Sequence, residues 1–316
     1  MATYAPPIVL QANDVESKTG ERLSLYSILL STTSHLMNRA RYEGSEAQCQ
    51  RMVEAGVQAA SRLGCESFSL GQYTSIVTRN GQRLNHLGMG VSTGNSYTVA
   101  LAIEAVQQSL REQGRMPKFE RLAVVGAAGN IGQTVAKMLA PQFESTTLIG
   151  SRRSRQQQRL GRLAESLANT KVGDSLDDIS RASVIVMAVS ASEQILDSNL
   201  LAQGAILCDI SVPSVTAPQL ADERPDVTLL KGGLAHLPQP VDLGIPSFPL
   251  PPGITFGCMA EGLILGFEKD HSTTFTGVVT REKVERIQQL AQKHGFGLAG
   301  TKDFSVLDAV IASGRG

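Results

Sequence analysis

The sequence is poor in the residue types that mark several special classes of protein. Its 316 residues include no tryptophan and only four cysteines. The cysteines, Cys49, Cys65, Cys208 and Cys258, are widely spaced and form no CxxC pair. Because metal sites and disulfide frameworks need clustered cysteines, we expect neither, and we place the protein in the reducing cytoplasm.

Long apolar runs and a charge of one sign are also missing. No apolar run approaches the roughly 18 residues that a membrane span needs, so no integral membrane segment is expected. The first residues lack the basic and apolar regions of a signal peptide. The 29 basic and 29 acidic residues balance, so net charge gives no reason to expect nucleic-acid binding. With 30 glycines and 42% hydrophobic residues, the composition suits a soluble α/β protein.

The apolar pattern divides the chain into three regions. Apolar runs alternate with helical stretches after residue 118, which is typical of a doubly wound parallel sheet. Examples of these runs are 183–191, 205–213 and 227–233. We predict a Rossmann-type domain over residues 118–260 and an N-terminal α/β substrate domain over 1–117. Residues 261–316 are predicted to be a C-terminal helical segment that packs back on the N-terminal domain and completes it.

A glycine-rich turn joins the first strand of the predicted Rossmann domain to its first helix. Gly126, Gly129 and Gly132 lie between LAVV and the helical stretch that begins near Asn130 and Ile131. Glycine lets the backbone turn sharply and approach a pyrophosphate, which the helix N-terminus then faces. The spacing is GxxGxxG rather than GxGxxG, so its strand–turn–helix context carries the prediction of a dinucleotide site. The alternative is a glycine-rich turn that binds nothing.

The residues after the second strand of this domain favour NADPH as the cofactor. NAD enzymes usually place a carboxylate there to bind the ribose hydroxyls. This chain has Ser151, Arg152 and Arg153 at that point and no carboxylate. Arginine can bind the 2′-phosphate of NADPH through paired hydrogen bonds. The alternative is that these arginines are the solvated start of a helix.

Cys258 opens an apolar helical stretch, GCMAEGLILGFEK. A thiol at a helix N-terminus is expected to have a lowered pKa. A thiolate beside a nicotinamide would suggest attack on a carbonyl carbon followed by hydride transfer. Taken alone, a cysteine at such a position is more often a small buried apolar residue.

Six motifs in order along the chain carry a resemblance to a known family. They are LGQYTSI (70–76), STGNSYT (92–98), AVVGAAGNIG (123–132), LKGGLAH (230–236), GCMAEGLILGFE (257–268) and KHGF (293–296). Together they resemble the cyanobacterial long-chain acyl-ACP reductases, which make fatty aldehydes from acyl carrier protein thioesters. The resemblance spans roughly residues 10 to 300.

The resemblance implies roles for particular residues. Cys258 matches the acyl-accepting nucleophile, and NADPH is the reductant. The TSI and TGN motifs are expected to face a cleft shared by the two domains, and we expect donors around Thr74, Ser75 and Asn95 to stabilise an oxyanion. Hydrogen bonding within turns is an equally simple explanation for these motifs. The candidates are Thr74, Ser75, Thr93, Gly94 and Asn95, with His271 for proton transfer and Gly232 and Gly233 beside the cofactor.

The resemblance also implies partners. The acyl donor would be an acyl carrier protein or a CoA thioester, and an aldehyde-consuming enzyme would act downstream. The basic segment 111–121, with Arg155, Arg159 and Arg162, could meet an acidic carrier. After Glu268, however, the chain is poorer in aromatic residues than the long-chain enzymes. The acyl group therefore stays open, and shorter, branched and polyketide-derived chains all remain candidates.

Two other functions stay open on sequence alone. The first is a dehydrogenase of a small oxo or amino acid with the layout of shikimate dehydrogenase, which needs a Lys–Asp pair in the N-terminal domain. Only Lys118 lies between Lys18 and the glycine turn, which weakens this alternative. The second is a non-catalytic NADPH-binding protein, in which Cys258 would be dispensable.

Overall fold

The computed structural model describes residues 5–299 except 12, 191–195, 212–213, 217–218, 247 and 249. The ends of the predicted apolar runs 183–191 and 205–213, and residues 300–316 of the predicted C-terminal segment, therefore lie outside the described residues. The strands are β1 (Ile8–Gln11), β2 (Val15–Glu16), β3 (Arg22–Leu23), β4 (Tyr26–Leu29), β5 (Ser67–Ser69), β6 (Gly90–Ser92), β7 (Arg121–Val125), β8 (Ser145–Ile149), β9 (Thr170–Val172), β10 (Val184–Met187), β11 (Ile206–Asp209), β12 (Thr228–Lys231), β13 (Leu234–His236), β14 (Ile254–Phe256) and β15 (Gly297–Leu298).

The α-helices follow the same chain order. They are α1 (Ser34–Glu43), α2 (Glu46–Arg62), α3 (Tyr73–Val77), α4 (Asn95–Glu112), α5 (Asn130–Leu139), α6 (Ser154–Glu165), α7 (Leu220–Glu223), α8 (Gly257–Phe267) and α9 (Arg281–His294). Within the described part of the chain, no helix is long and apolar enough to cross a membrane.

Six parallel strands form the central sheet of the unit that contains residues 98–233. Their order, β12-β11-β10-β7-β8-β9, is the order 3-2-1-4-5-6 of dinucleotide-binding domains read from the opposite edge. Strand order reverses between β7 and β10, and the glycine turn follows β7 at that point. The predicted α/β fold with a doubly wound parallel sheet is confirmed.

The central strands are apolar because both faces of the sheet are covered. All four residues of β10 and all four of β11 are buried. In β7 only Arg121 is exposed. This continuous burial explains why the strands appear in the sequence as unbroken apolar runs rather than as alternating patterns.

A second compact unit contains the described residues of 5–97 and 234–299. Its core packs residues of α2, such as Val53 and Val57, with Tyr73 and Leu84. Helix α8 belongs to this unit and is buried along most of its length. At its end, Glu268 Oε1 lies 2.6 Å from Nε2 of the fully buried His294, so the KHGF motif ties α9 to α8. The predicted boundaries at 117/118 and 260/261 stay predictions, because compactness alone does not test independent folding.

Residues 73–77 are helical, whereas the sequence of residues 68–78 predicts a strand interrupted by Gly71, so that prediction is wrong beyond β5. The preceding turn explains the difference. Thr74 Oγ1 donates a hydrogen bond to the Gly71 carbonyl at 2.6 Å, and Ser75 Oγ donates to the Gln72 carbonyl at 3.0 Å. Such local side-chain bonds compete with sheet pairing and favour a turn.

Candidate active site

Cys258 is the second residue of α8, a helix that follows β14 directly. The backbone of Gly94, between β6 and α4, lies against it. A Cβ on Gly94 would collide with the Cα, Cβ and carbonyl oxygen of Cys258. Gly94 also has a φ of +70°, which L side chains rarely adopt. Two independent causes therefore require glycine at position 94, and its small size lets the TGN turn reach the cysteine.

Backbone N–H groups face the sulfur of Cys258. Hydrogen bonds from the N–H groups of Gln72 and Met259 favour the thiolate and lower the pKa of the thiol. Gln72 has φ 50° and ψ −128°, a conformation that costs a non-glycine residue on the order of 1–3 kcal/mol. Strain of this kind concentrates at functional sites because the surrounding structure must maintain it.

Thr74 and Ser75 maintain the strained turn rather than point at the sulfur. Each hydroxyl has a single proton, and each donates it to a carbonyl of the turn, Gly71 for Thr74 and Gln72 for Ser75. Ser69, at the end of β5, adds a third constraint, because its Oγ donates to the Cys258 carbonyl at 2.7 Å. Sequence reasoning missed Ser69, whose position on a short strand carries no distinctive signal.

Burial raises the pKa of the Cys258 thiol from its ordinary value of 9.0 to about 11. The N–H of Gln72 opposes this rise, and the nearby Glu261 carboxylate adds to it. The lowered pKa expected from the helix N-terminus is therefore wrong for this structure. A helix terminus supplies only about 0.3–1 kcal/mol, whereas removing a charged group from water shifts a pKa by up to several units.

Glu261 is a buried carboxylate that sequence reasoning did not single out. Its Oε1 accepts from Ser92 Oγ at 2.6 Å and from the Gly94 N–H at 3.0 Å, and its Oε2 accepts from the Tyr97 N–H at 2.7 Å. Burial raises its pKa to about 7, against the hydrogen bonds that favour the charged form. The sequence feature that could have pointed to Glu261 is its i, i+3 spacing from Cys258. This spacing places both residues on one side of a helix that carries no other charge.

The other residues predicted for this site occupy different surroundings. Thr93 Oγ1 donates to the Phe275 carbonyl at 3.1 Å. Asn95 is the first residue of α4 and is buried. His271 Nε2 lies 3.7 Å from Glu66 Oε2, and the side chain is 41% exposed. Among the described residues, no three His, Cys, Asp or Glu side chains are grouped so that they could hold a metal ion.

In the unit with the parallel sheet, the glycine turn has the geometry of a phosphate-binding loop. Gly126 has a φ of +83°, and a Cβ there would collide with the Ala188 carbonyl beyond β10. A Cβ on Gly132 would collide with the Gly126 carbonyl, so α5 packs closely on the turn. Gly129 is the N-cap of α5 and has no side chain to cap the helix. The first turn of α5, from Asn130 and Ile131 onward, therefore has the position of the helix N-termini that bind phosphates in other dinucleotide-binding domains, and its role here stays a prediction.

The predicted cofactor residues after β8 lie just before α6. Arg153 is the N-cap of α6, and Arg152 is exposed. Ser151 Oγ donates to Gln156 Oε1 at 2.6 Å. No carboxylate occupies residues 150–155, the position where NAD enzymes usually bind the ribose hydroxyls, so the predicted preference for NADPH stays a prediction.

Gly232 and Gly233 follow β12. A Cβ on Gly232 would collide with the sulfur of the buried Cys208 on β11. The nearest atom to a Cβ on Gly233 is Thr98 Cγ2 at 3.7 Å, an ordinary contact. Packing in the sheet accounts for Gly232 by itself, and a role of either glycine at the cofactor stays a prediction.

Comparison with known proteins places these motifs in context. No protein-family model matches the chain. The chain is 28% identical over 254 residues to the aminotransferase PigE of a Serratia species, a match that covers 77% of this chain and 29% of PigE. The dipicolinate synthase A chain from Bacillus subtilis is similar in structure, with a TM-score of 0.37 and 15% identity over 52% of this chain and 55% of that chain. The match to PigE means that this chain spans under a third of the length of that relative.

A third similarity covers nearly the whole chain. The long-chain acyl-[acyl-carrier-protein] reductase of Synechococcus elongatus is 26% identical over 306 residues, which cover 92% of this chain and 87% of that protein. The resemblance that the six motifs carry is confirmed as a distant one. By sequence, this chain is a distant relative of the long-chain acyl-[acyl-carrier-protein] reductase.

Proposed function

We propose that the protein is an NADPH-dependent oxidoreductase that reduces an acyl thioester to an aldehyde through an acyl-enzyme on Cys258. The observation that carries this proposal is the environment of the Cys258 sulfur. Backbone N–H groups, one of them from the strained residue Gln72, point at a thiol on a helix N-terminus. A cysteine that only fills space needs no strained donor beside it, whereas a nucleophile whose thiol pKa is raised by burial needs donors that stabilise the negative charge as it attacks.

The other cysteines lack this combination of a helix N-terminus and a strained donor. Cys49 lies within α2, and burial is the largest cause of the raised pKa of its thiol. Cys65 is partly buried, and burial alone raises its pKa. Cys208 does receive an N–H, from Gly232, but it lies inside the fully buried strand β11, and burial raises the pKa of its thiol further than that of Cys258.

In the first stage, the Cys258 sulfur attacks the thioester carbonyl. A C–S bond forms to Cys258, the bond to the donor sulfur breaks, and the departing thiolate takes up the proton that Cys258 releases. The N–H of Gln72 is released from the thiolate as the acyl group forms, and it can then donate to the carbonyl oxygen as charge develops there. Asn95 is our side-chain candidate for a second donor.

Thr74 and Ser75 support this chemistry indirectly. Because their hydroxyls donate to the carbonyls of Gly71 and Gln72, we assign them the role of holding the Gln72 N–H in place. The high thiol pKa fits a nucleophile that ionises only as the substrate arrives. At neutral pH, a thiol with a pKa of about 11 is almost entirely protonated, which protects it from oxidation between turnovers.

The glycine turn and the residues after β8 fit NADPH. The first turn of α5 would face the pyrophosphate, while Arg152 and Arg153 would bind the 2′-phosphate. NADPH would supply a hydride to the acyl carbonyl, after which the C–S bond to Cys258 would break, releasing the aldehyde and returning the Cys258 thiolate. We leave His271 without a role in this scheme, because its ring pairs with Glu66 at an exposed position.

One relative supports a carrier-bound acyl group as the substrate. The name of the Synechococcus protein specifies an acyl group on an acyl carrier protein. We therefore propose that the acyl donor is an acyl carrier protein thioester or a CoA thioester. The next enzyme in the reaction sequence would be one that consumes aldehydes. Free aldehydes react with protein amines, so prompt consumption of this product is expected.

The test is turnover with a panel of donors. Purified protein would be incubated with NADPH and with short, branched and long acyl groups on carrier protein and on CoA, and aldehyde would be measured by mass spectrometry. We expect aldehyde from at least one donor, none from Cys258→Ser, and an unchanged amount from Cys65→Ser. Aldehyde formation by Cys258→Ser would show direct hydride transfer. NADPH binding without aldehyde from any donor would point to the dehydrogenase or to the non-catalytic alternative.

A further inference from the structure

Glu261 connects the helix that carries Cys258 to the turn that touches it. Its carboxylate, on α8, accepts from the N–H groups of Gly94 and Tyr97 at the start of α4. N–H groups at the start of a helix cannot bond to a carbonyl within that helix. A carboxylate at this end of α4 also interacts favourably with the helix dipole. Glu261 thus caps α4 from a different helix.

The same contacts determine where Gly94 lies. Ser92 Oγ donates to Glu261 Oε1 at 2.6 Å and accepts from the Gly94 N–H at 3.1 Å. The Gly94 N–H therefore has two acceptors. One is Glu261 Oε1 itself, and the other is the Ser92 hydroxyl, which Glu261 holds in place. Because Gly94 contacts Cys258 directly, any movement of this turn changes the space around the cysteine.

We infer that Glu261 is a positioning residue for Cys258, which fixes the Gly94 turn against the cysteine and presents a negative charge to the thiol. This inference rests on the proposed role of Cys258 as the nucleophile. Burying a carboxylate is expensive, and the hydrogen bonds from Ser92, Gly94 and Tyr97 offset part of that cost. The same bonds hold the turn that touches Cys258, so the capping of α4 and the position of the cysteine are linked.

Within the described structure, the titratable groups whose pKa values respond to Glu261 are Cys258 on its own helix and Lys283 on α9. The Lys283 ammonium donates to the carbonyls of Thr276 and Val278 at 2.8 and 2.9 Å. The Glu261 carboxylate raises the pKa of Cys258, so removal of its charge should make the thiol more reactive at a given pH.

The first experiment measures alkylation of Cys258 by iodoacetamide between about pH 7 and 10, with peptide mass spectrometry to assign the site. In Glu261→Gln we expect the rate profile to move to lower pH, with a several-fold faster rate near pH 8. Glu268→Gln is the matched control, because Glu268 lies at the other end of the same helix and bonds His294 instead. Its profile should match that of the wild type.

A second variant covers the case in which Glu261→Gln does not fold. Glu261→Asp keeps the charge but shortens the side chain by one methylene, so its carboxylate no longer reaches both Gly94 and Tyr97. We expect faster amide hydrogen exchange in residues 93–97 of this variant, with unchanged exchange in α9. An unchanged alkylation profile in folded Glu261→Gln, or unchanged exchange at 93–97 in Glu261→Asp, would overturn the inference. Neither readout depends on turnover, so failure of the proposed reductase activity would be recognised separately.

Discussion

Gly94 and Cys258 are in direct backbone contact, and the contact leaves no room for a Cβ at position 94. The two residues are far apart in sequence and lie on different elements of one compact unit. Their contact brings the TGN motif to the cysteine that the sequence resemblance identified as the acyl acceptor. The contact is a second reason, besides the φ of +70°, why glycine follows Thr93.

Replacing Gly94 by alanine should therefore damage the site more than backbone strain alone predicts. Gly88 is the matched control, because it has the same φ of +70° and a Cβ added there would meet nothing within 4 Å. We expect Gly88→Ala to cost about 1 kcal/mol of unfolding free energy. Gly94→Ala should cost about 1–3 kcal/mol more, because the new methyl overlaps Cys258. Urea unfolding measures both variants, and equal losses would contradict the contact.

The raised pKa of Glu261 predicts a dependence of stability on pH. The folded-state pKa of about 7 lies above the ordinary value of 4.5. The stabilising contribution is therefore present in full below pH 4.5 and is lost as the pH rises through about 7. A shift of this size corresponds to a free-energy change on the order of 3 kcal/mol.

We subtract the unfolding free energy of Glu261→Gln from that of the wild type. We expect this difference to fall as the pH rises from 4.5 to 7, because the wild type alone loses the contribution of the protonated carboxyl. Urea unfolding of both proteins across this range measures the difference and cancels the titration of all other groups. A difference that stays constant with pH would mean that the Glu261 carboxylate titrates at its ordinary value in the folded protein.

Cofactor preference tests the arginines after β8. Changing both Arg152 and Arg153 to alanine should weaken NADPH binding by on the order of 2 kcal/mol, because each would otherwise donate to the 2′-phosphate. NADH binding should be almost unchanged. Arg162→Ala, at an exposed position further along α6, should alter neither affinity. Equal losses for NADPH and NADH in the double variant would show that the arginines do not bind the 2′-phosphate.

The parallel-sheet unit was largely predictable from the sequence because its signals are local. Unbroken apolar runs mark buried strands, and Gly126 and Gly132 mark the sharp turn between β7 and α5. The start of α8 at Gly257 was likewise visible from the apolar stretch that follows it.

The chemistry around Cys258 was less predictable because it depends on contacts between distant segments. The thiol pKa rises because residues near Gln72 and Gly94 bury a sulfur that the helix alone would expose. Glu261 accepts hydrogen bonds from N–H groups at the start of α4. No local sequence pattern predicts that α8 and the start of α4 lie side by side. The hydroxyls of Thr74 and Ser75 looked like ligands for a substrate, yet they donate to their own turn.

Covalent catalysis by Cys258 can be read from the mass of the intact protein after incubation with an acyl thioester in the absence of NADPH. If Cys258 is the nucleophile, the wild type should gain the mass of one acyl group, and NADPH should then remove it with release of aldehyde. Cys65→Ser should gain the same mass, and Cys258→Ser should gain none. A wild-type protein that forms aldehyde without ever carrying the acyl group, or a Cys258→Ser variant that becomes acylated, would rule out an acyl-enzyme on Cys258.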